Sequence, residues 1–231
     1  MENNRINQKN KVLVVCAHAD DEILGCGGTI ARHVVEGDKV LCLIISNHNT
    51  SRLIGKYDIS YQDLVKSSMA PQAREVAGMI GYKVEFMDCF HDNQFDREPL
   101  LKIIQKIETF SEGYNADIIY THYEHDLNID HRLTFQSVTT AFRPNGENYS
   151  MMSFEVPSST DWASKTFAPN LYVNVTNYIE LKLRAMQVYK TEVREFPHPR
   201  SLEAIRALAK IRGVQSGLKY AEAFKVVRMI R

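Results

Sequence analysis

The sequence predicts an α/β fold, a Rossmann-like three-layer sandwich around a mostly parallel central sheet. Three observations predict it. Strand-length apolar runs recur along the chain, the segments between them carry apolar residues at helical spacing, and a strand, glycine cluster, helix and strand follow one another within about 35 residues.

Lys11 to Ala17 reads KVLVVCA, an unbroken apolar run expected of a strand covered on both faces. After glycines at 25, 27 and 28, Ile30, Ala31, Val34 and Val35 follow helical spacing up to Gly37, a natural left-handed cap. Lys39 to Ser46 is strand again, which completes a βαβ unit with a right-handed crossover. Helices are predicted over Pro71 to Ile80, Pro99 to Phe110, His131 to Phe142, Asn177 to Tyr189 and Ser201 to Arg212. Strands are predicted over Lys83 to Asp88, Ala116 to Thr121, Met151 to Val156 and Leu171 to Val175. The stretches His48 to Ala70 and Pro157 to Pro169 are long, polar and aromatic, as segments that cover a site often are.

The chain has 231 residues, 44% hydrophobic and 24% charged, which excludes disorder and fibrous repeats. No repeat or linker divides it, so residues 11–231 are expected to form a single domain preceded by a frayed, polar segment, 1–10. Lys plus Arg equals Asp plus Glu at 28 each, so no basic face argues for nucleic acid or anionic lipid. No apolar run approaches the ~20 residues of a membrane span, and the first ten residues lack the apolar core of a secretory signal. Cysteines at 16, 26, 42 and 89 have neither metal-ribbon spacing nor disulfide-scaffold density. A soluble protein of a reducing cytoplasm is expected.

The chemistry concentrates in Ala17-His18-Ala19-Asp20-Asp21-Glu22, where the first strand ends. Ligands of open α/β sheets collect outside the carboxyl ends of strands. His18 and Asp21, three apart in a turn, can face one divalent ion as imidazole and carboxylate, while Asp20 between them is suited to take a proton from water as a general base. An acid after a strand often only caps the next helix. Three successive carboxylates, however, repel one another unless a cation sits among them. The second stretch, Thr121 to His131, holds three histidines and three acids in eleven residues at another strand end. Its spacing leaves open which of them ligates; one more ligand would complete an open tetrahedral site with water in the fourth position, as catalytic zinc requires.

The sequence resembles the LmbE/PIG-L family of zinc-dependent N-deacetylases. The family motifs H-P-D-D-E and H-x-D-H stand here as HADDE at 18–22 and NIDH at 128–131. The likeness extends through Arg74-Glu75, Asp92-Asn93, EVPSSTDW at 155–162 and FPHPRS at 196–201. The resemblance implies one Zn2+ held by His18, Asp21 and His131, with Asp20 as general base. It further implies Arg74 and Asp92 beside an N-acetylated sugar substrate, against the plainer readings of a helix-face arginine and a turn-forming Asp-Asn pair. Asp130 is expected to orient an imidazole or to cap the helix that follows.

Two positions depart from the family pattern. Ala19 replaces a proline and removes no functional group. Asn128 replaces a histidine that helps to stabilise the charged intermediate, and an amide donates a weaker hydrogen bond. His198 in FPHPRS is the candidate to compensate, contributed within the chain or across the interface of a homo-oligomer. The expected function is removal of an N-acetyl group from an amino sugar. One alternative is a catalytically inactive metal- or sugar-binding protein of the same fold, motivated by Asn128. A nucleotide-binding reading of Gly25-Cys26-Gly27-Gly28 is disfavoured, because the spacing is not G-x-G-x-x-G and three upstream acids would repel phosphate.

Overall fold

In the computed structural model, which describes residues 9–46, 68–87, 90–145 and 149–230, β1 (Lys11–His18) is buried on both faces. Val12, Val14 and Cys16 enter one core, Leu13, Val15 and Ala17 the other, as the period of two along a strand requires. The first core is roofed by α1 (Asp21–Glu36), α2 (Ala70–Ile80), α5 (Ile179–Val188) and α6 (Leu202–Ser216). The second is roofed by α3 (Leu100–Ser111) and α4 (Ile129–Ala141). Three layers result, as the sequence predicts.

The remaining strands are β2 (Lys39–Ser46), β3 (Lys83–Phe86), β4 (Ile118–Thr121), β5 (Ser150–Phe154), β6 (Leu171–Asn174) and β7 (Ala221–Arg228). They form one seven-stranded sheet in the order β3-β2-β1-β4-β5-β7-β6. β1 pairs parallel with β2 and β4, whereas β7 runs antiparallel to both β5 and β6. The chain moves outward from β1 to β3 and then returns to the other side of β1 with β4. The crevice between the carboxyl ends of β1 and β4 is therefore the topological switch point, where α/β sheets hold their ligands. His18 closes β1 and His122 follows β4 at that edge.

Two sequence expectations change. β7 is not predicted, because Glu222, Lys225 and Arg228 interrupt its apolar pattern. The glycines at 25, 27 and 28 make no turn: α1 already begins at Asp21, and they lie inside it. A Cβ on Gly25 would fall 2.3 Å from Phe154 Cδ2, and one on Gly28 2.8 Å from Val175 Cγ1. They are needed for close approach of the helix to its neighbours.

α1 is kinked at Cys26, whose φ of −146° is not helical. Backbone groups on either side of the kink find partners outside the helix. Gly28 and Thr29 N–H groups donate to the Glu222 carboxylate at 2.9 and 2.6 Å, and Lys182 Nζ donates to the Leu24 carbonyl at 2.9 Å. Lys182 and Glu222 are buried and 2.6 Å apart, so each neutralises the other.

Cys16, Cys26 and Cys42 are buried free thiols, whereas Cys89 and most of the 48–70 stretch lie outside the described residues. No helix among the described residues is long and apolar enough to cross a membrane.

Candidate metal centre

The turn from β1 into α1 sets the first half of the site. Asp20 has φ 110°, a conformation that L residues rarely adopt, at a cost of about 1–3 kcal/mol. It is held there from both directions. Its N–H donates to Glu22 Oε2 at 3.0 Å, and its carbonyl accepts the Ile23 and Leu24 N–H groups. Buried Glu22 is itself anchored by the hydroxyls of Tyr189 (2.6 Å) and Tyr82 (3.2 Å). This turn folds Asp21 back under the strand, where its Oδ2 accepts the His18 N–H at 2.9 Å.

Three imidazoles converge on the same oxygen. Asp21 Oδ2 lies 3.4 Å from His18 Nδ1, 3.3 Å from His131 Nε2 and 3.4 Å from His122 Nε2. His18, Asp21 and His131 offer one donor atom each, all within 4.8 Å of one another. The second nitrogen of both outer imidazoles faces its own carboxylate. His18 Nε2 is 3.1 Å from Asp130 Oδ2 and 3.2 Å from Asp92 Oδ1; His131 Nδ1 is 3.1 Å from Asp126 Oδ2. Carboxylate, imidazole and ion in line is the arrangement that fixes the tautomer of metal-binding histidines.

Asp130 is rigid. Its Oδ2 accepts the Asn93 N–H at 2.6 Å and its Oδ1 the Phe95 N–H at 3.0 Å.

The donor set fits a divalent cation. Asp21 Oδ1 and both nitrogens of His131 are buried without a hydrogen-bond partner, the His131 contacts lacking hydrogen-bond angles. Burial should lower the His131 imidazole, yet the Asp21 and Asp126 charges push it up to about 9. Burial likewise opposes, and hydrogen bonds to Asp130 and Asp21 overcome, so that His18 is held well above its ordinary value. Asp21 is held well below the usual carboxylate range against the effect of its burial, chiefly by the charge on His131. Both outer imidazoles thus hold positive charge among carboxylates, the charge a bound cation would supply instead.

His122 differs from them. It is fully buried and stacks on His131 with centroids 4.0 Å apart. Its Nε2 accepts the Ala17 N–H at 2.9 Å, and burial, then the neighbouring His131, lower its pKa well below the ordinary value. It is a neutral wall behind the site.

Asp20 points to the other side of the turn. Its Oδ2 is 3.1 Å from Arg200 Nη1, which also lies 3.2 Å from Glu192 Oε2. Arg200 Nε donates to Ser158 Oγ at 3.1 Å. Burial raises the Asp20 carboxyl well above the usual range, and Arg200 opposes this without reversing it.

The other sequence-predicted residues divide. Asp92 is buried beside His18, where it touches an imidazole. Asn128 caps α4: its Oδ1 accepts the Asp130 N–H at 2.8 Å, and its Nδ2 donates to Asn93 Oδ1 at 3.2 Å, so the amide is occupied in loop architecture. Arg74 is exposed on α2 with its guanidinium 4.9 Å from the Phe86 ring centroid, and among the described residues no contact joins it to the cluster. His198 meets Trp162 edge-on and accepts the Arg200 N–H at 3.0 Å, so within this chain Arg200 and not His198 reaches Asp20. Arg200, Asp126 and His122 are the site residues that sequence reasoning missed. Arg200 stands inside the FPHPRS motif, but its contact with Asp20 spans 180 positions and leaves no local signal. Asp126 and His122 stand in the acid- and histidine-rich stretch, whose spacing does not separate one role from another.

The chain is 26% identical over 235 residues to the diacetylchitobiose deacetylase of Thermococcus kodakarensis, covering 97% of this chain and 86% of that relative. The fold matches the solved N,N'-diacetylchitobiose deacetylase of Pyrococcus horikoshii with a TM-score of 0.74 at 20% identity, over 97% of this chain and 86% of that one. It matches the 4-carboxy-2-hydroxymuconate hydratase GalB of Pseudomonas putida equally well, with a TM-score of 0.74 at 20% identity over 96% and 98%. A hydratase and a deacetylase thus share the fold, and a reaction has to be read from the site. Residues 13–142, more than half of the chain and the part that contributes His18, Asp21 and His131, match the PIG-L family, described as GlcNAc-PI de-N-acetylase, and the chain belongs to that family.

Proposed function

We propose that the chain is a zinc-dependent N-deacetylase that hydrolyses the acetamido group of an N-acetylglucosaminyl-type sugar to acetate and a free amine. The observation that carries this reading is the convergence of His18, Asp21 and His131 on one point, with a carboxylate behind each imidazole. His18 Nδ1, an Asp21 carboxylate oxygen and His131 Nε2 would hold the ion. Zinc, when bound, supplies Lewis acidity toward an amide carbonyl and a water that loses its proton near neutral pH.

The chain's own residues supply the rest. Asp130 and Asp126 face the outward imidazole nitrogens and favour the proton staying there, which keeps the inward nitrogens as lone-pair donors. Asp20 takes a proton from the attacking water and returns it to the leaving nitrogen. Arg200 keeps the Asp20 carboxylate turned to its place and balances the acids of the turn. Asp92, in the loop beside His18, is assigned to sugar hydroxyls.

The test is acetate release from N,N'-diacetylchitobiose, with and without a chelator. Asp20→Asn is expected to retain zinc by elemental analysis and to lose about 10²–10⁴-fold in turnover. His18→Ala is expected to lose the metal. Release that ignores the chelator removes the ion from the reaction, and undiminished turnover in Asp20→Asn removes Asp20 from its role.

A further inference from the structure

Trp162 is the only tryptophan of the chain and is 58% exposed. A singly exposed apolar side chain is ordinary on a protein surface; what sets Trp162 apart is a large flat ring held next to the residues of the crevice. Its position is fixed by the machinery described above. The segment from Val156 to Ala163 is a turn whose Ser159 and Thr160 N–H groups donate to the Val156 carbonyl, and whose Ser158 N–H donates to Asp161 Oδ2 at 2.8 Å. One side of the turn is held by Arg200, through the Ser158 hydroxyl, and Arg200 holds Asp20. The other is held by Leu127, whose N–H donates to the Ser159 carbonyl, one residue from Asp126 and Asn128. The turn is thus clamped between the proton-transfer side of the site and the segment that leads into α4, the helix that carries His131. Trp162 stands four residues past Ser158, a span of at most about 14 Å even when extended.

The ring is also oriented. His198 meets it edge-on, with centroids 5.4 Å apart and planes at 80°. An edge contact braces the indole and leaves most of its surface open. His198 is fixed in turn by the Arg200 N–H on its Nδ1.

We infer that Trp162, braced by His198, is a stacking platform at the mouth of the site that takes the second sugar ring of an N-acetylated disaccharide, and so selects disaccharides over the monosaccharide. The inference rests on the deacetylase reading. The match of shape and chemistry favours a sugar over a protein partner: one flat apolar face, the size of a single ring, is set among hydrogen-bonding groups. A pyranose offers the counterpart, with C–H groups on its faces and hydroxyls around its edge. A protein partner would need a continuous apolar surface; around Trp162 the chain runs Asp161, Ala163, Ser164 and Lys165, and the exposed Phe196, two residues before His198, follows the charged pair Arg194 and Glu195.

The single tryptophan makes the test direct, because all indole emission comes from this residue. Zinc-loaded Asp20→Asn protein is titrated with N,N'-diacetylchitobiose and, separately, with N-acetylglucosamine while tryptophan fluorescence is followed. A saturable blue shift or quench with the disaccharide, and a smaller one with the monosaccharide, is the expected result. In otherwise unaltered enzyme, Trp162→Ala is expected to raise KM for the disaccharide about tenfold while kcat stays within about twofold, and Trp162→Phe to restore most of the difference. A silent spectrum at disaccharide concentrations that saturate turnover overturns the platform. Equal losses on both sugars overturn it too, since a merely structural residue would behave so, as does a change of sedimentation in Trp162→Ala that marks the indole as a contact between copies of the chain. Absence of turnover with a shifted spectrum retires the deacetylase reading and keeps the platform, so the two failures are told apart.

Discussion

Asp130→Ala separates metal binding from folding in this site. The carboxylate does three things at once: it faces His18 Nε2 at 3.1 Å and accepts the Asn93 and Phe95 N–H groups at 2.6 and 3.0 Å. Removing it leaves Asp92 Oδ1, at 3.2 Å, as the carboxylate at His18 Nε2, so the ring is held less firmly and the proton can move more readily to the nitrogen that ought to bind the ion. Loss of such a carboxylate costs 10–100-fold in metal affinity, about 1.4–2.7 kcal/mol. The stranded Phe95 N–H is buried and costs about 1–3 kcal/mol; the Asn93 N–H is nearer to water and costs less. For a chain of this size a total of about 2 kcal/mol lowers the thermal midpoint by about 4–8 °C. Calorimetric titration of zinc into the apoprotein measures the first effect, and thermal melts of the apoprotein in chelator measure the second. Asp126→Ala, facing the other imidazole, is the control and should weaken zinc binding comparably. A variant that melts early but binds zinc as tightly as the wild type would refute the claim that Asp130 sets the His18 tautomer.

Other outcomes follow from the same geometry. Arg200→Lys keeps a cation near Asp20 but loses the planar fork that also reaches Ser158; zinc content should be retained while kcat falls about tenfold, and full activity would mean that charge alone suffices. Gly25→Ala places a methyl against the Phe154 ring, and the resulting overpacking, about 1–3 kcal/mol, should outweigh the up to ~1 kcal/mol of added helix propensity; urea unfolding that shows a net gain would contradict the close-approach argument. Asp38 accepts from the Asn10 N–H at 2.8 Å and pairs with His33 Nδ1 at 2.7 Å; although its partial burial works the other way, these partners hold its carboxyl below the usual range. Its folded pKa is depressed, so its contribution is present above the ordinary carboxylate value of ~4 and is lost as pH falls through the folded one. The difference in unfolding free energy between wild type and Asp38→Asn should accordingly be flat from pH 7 to about 5 and shrink below ~4; a difference that does not change down to pH 3 would count against the pairing.

The parts of the fold that are legible in sequence are those set by local pattern. β1, β2 and the helices announce themselves because both faces of a central strand and one face of each helix must be apolar. β7 does not, because a buried Glu222 reads as a solvent residue until its partners, 40 and nearly 200 positions away, are known. The same holds for the glycines of α1, whose reason lies in Phe154 and Val175. At the site, HADDE is readable since His18 and Asp21 are brought together by one turn. The fate of Asn128 and His198 is not: the amide is taken up by the cap of α4, and the imidazole by Trp162 and Arg200, both decided by tertiary neighbours.

The kink of α1 ties an early-made segment of a growing chain to one made nearly 200 residues later. While a polypeptide is still emerging, a length that stops short of Glu222 has no carboxylate for the Gly28 and Thr29 N–H groups and leaves the Lys182 ammonium buried without its counter-charge. The turn bearing Asp20 and Asp21 opens that very helix, so the ion-binding geometry lacks part of its support until Glu222 has been made and has joined the sheet. A translated fragment holding both histidine motifs but lacking β7 is accordingly expected to gain little order from added zinc.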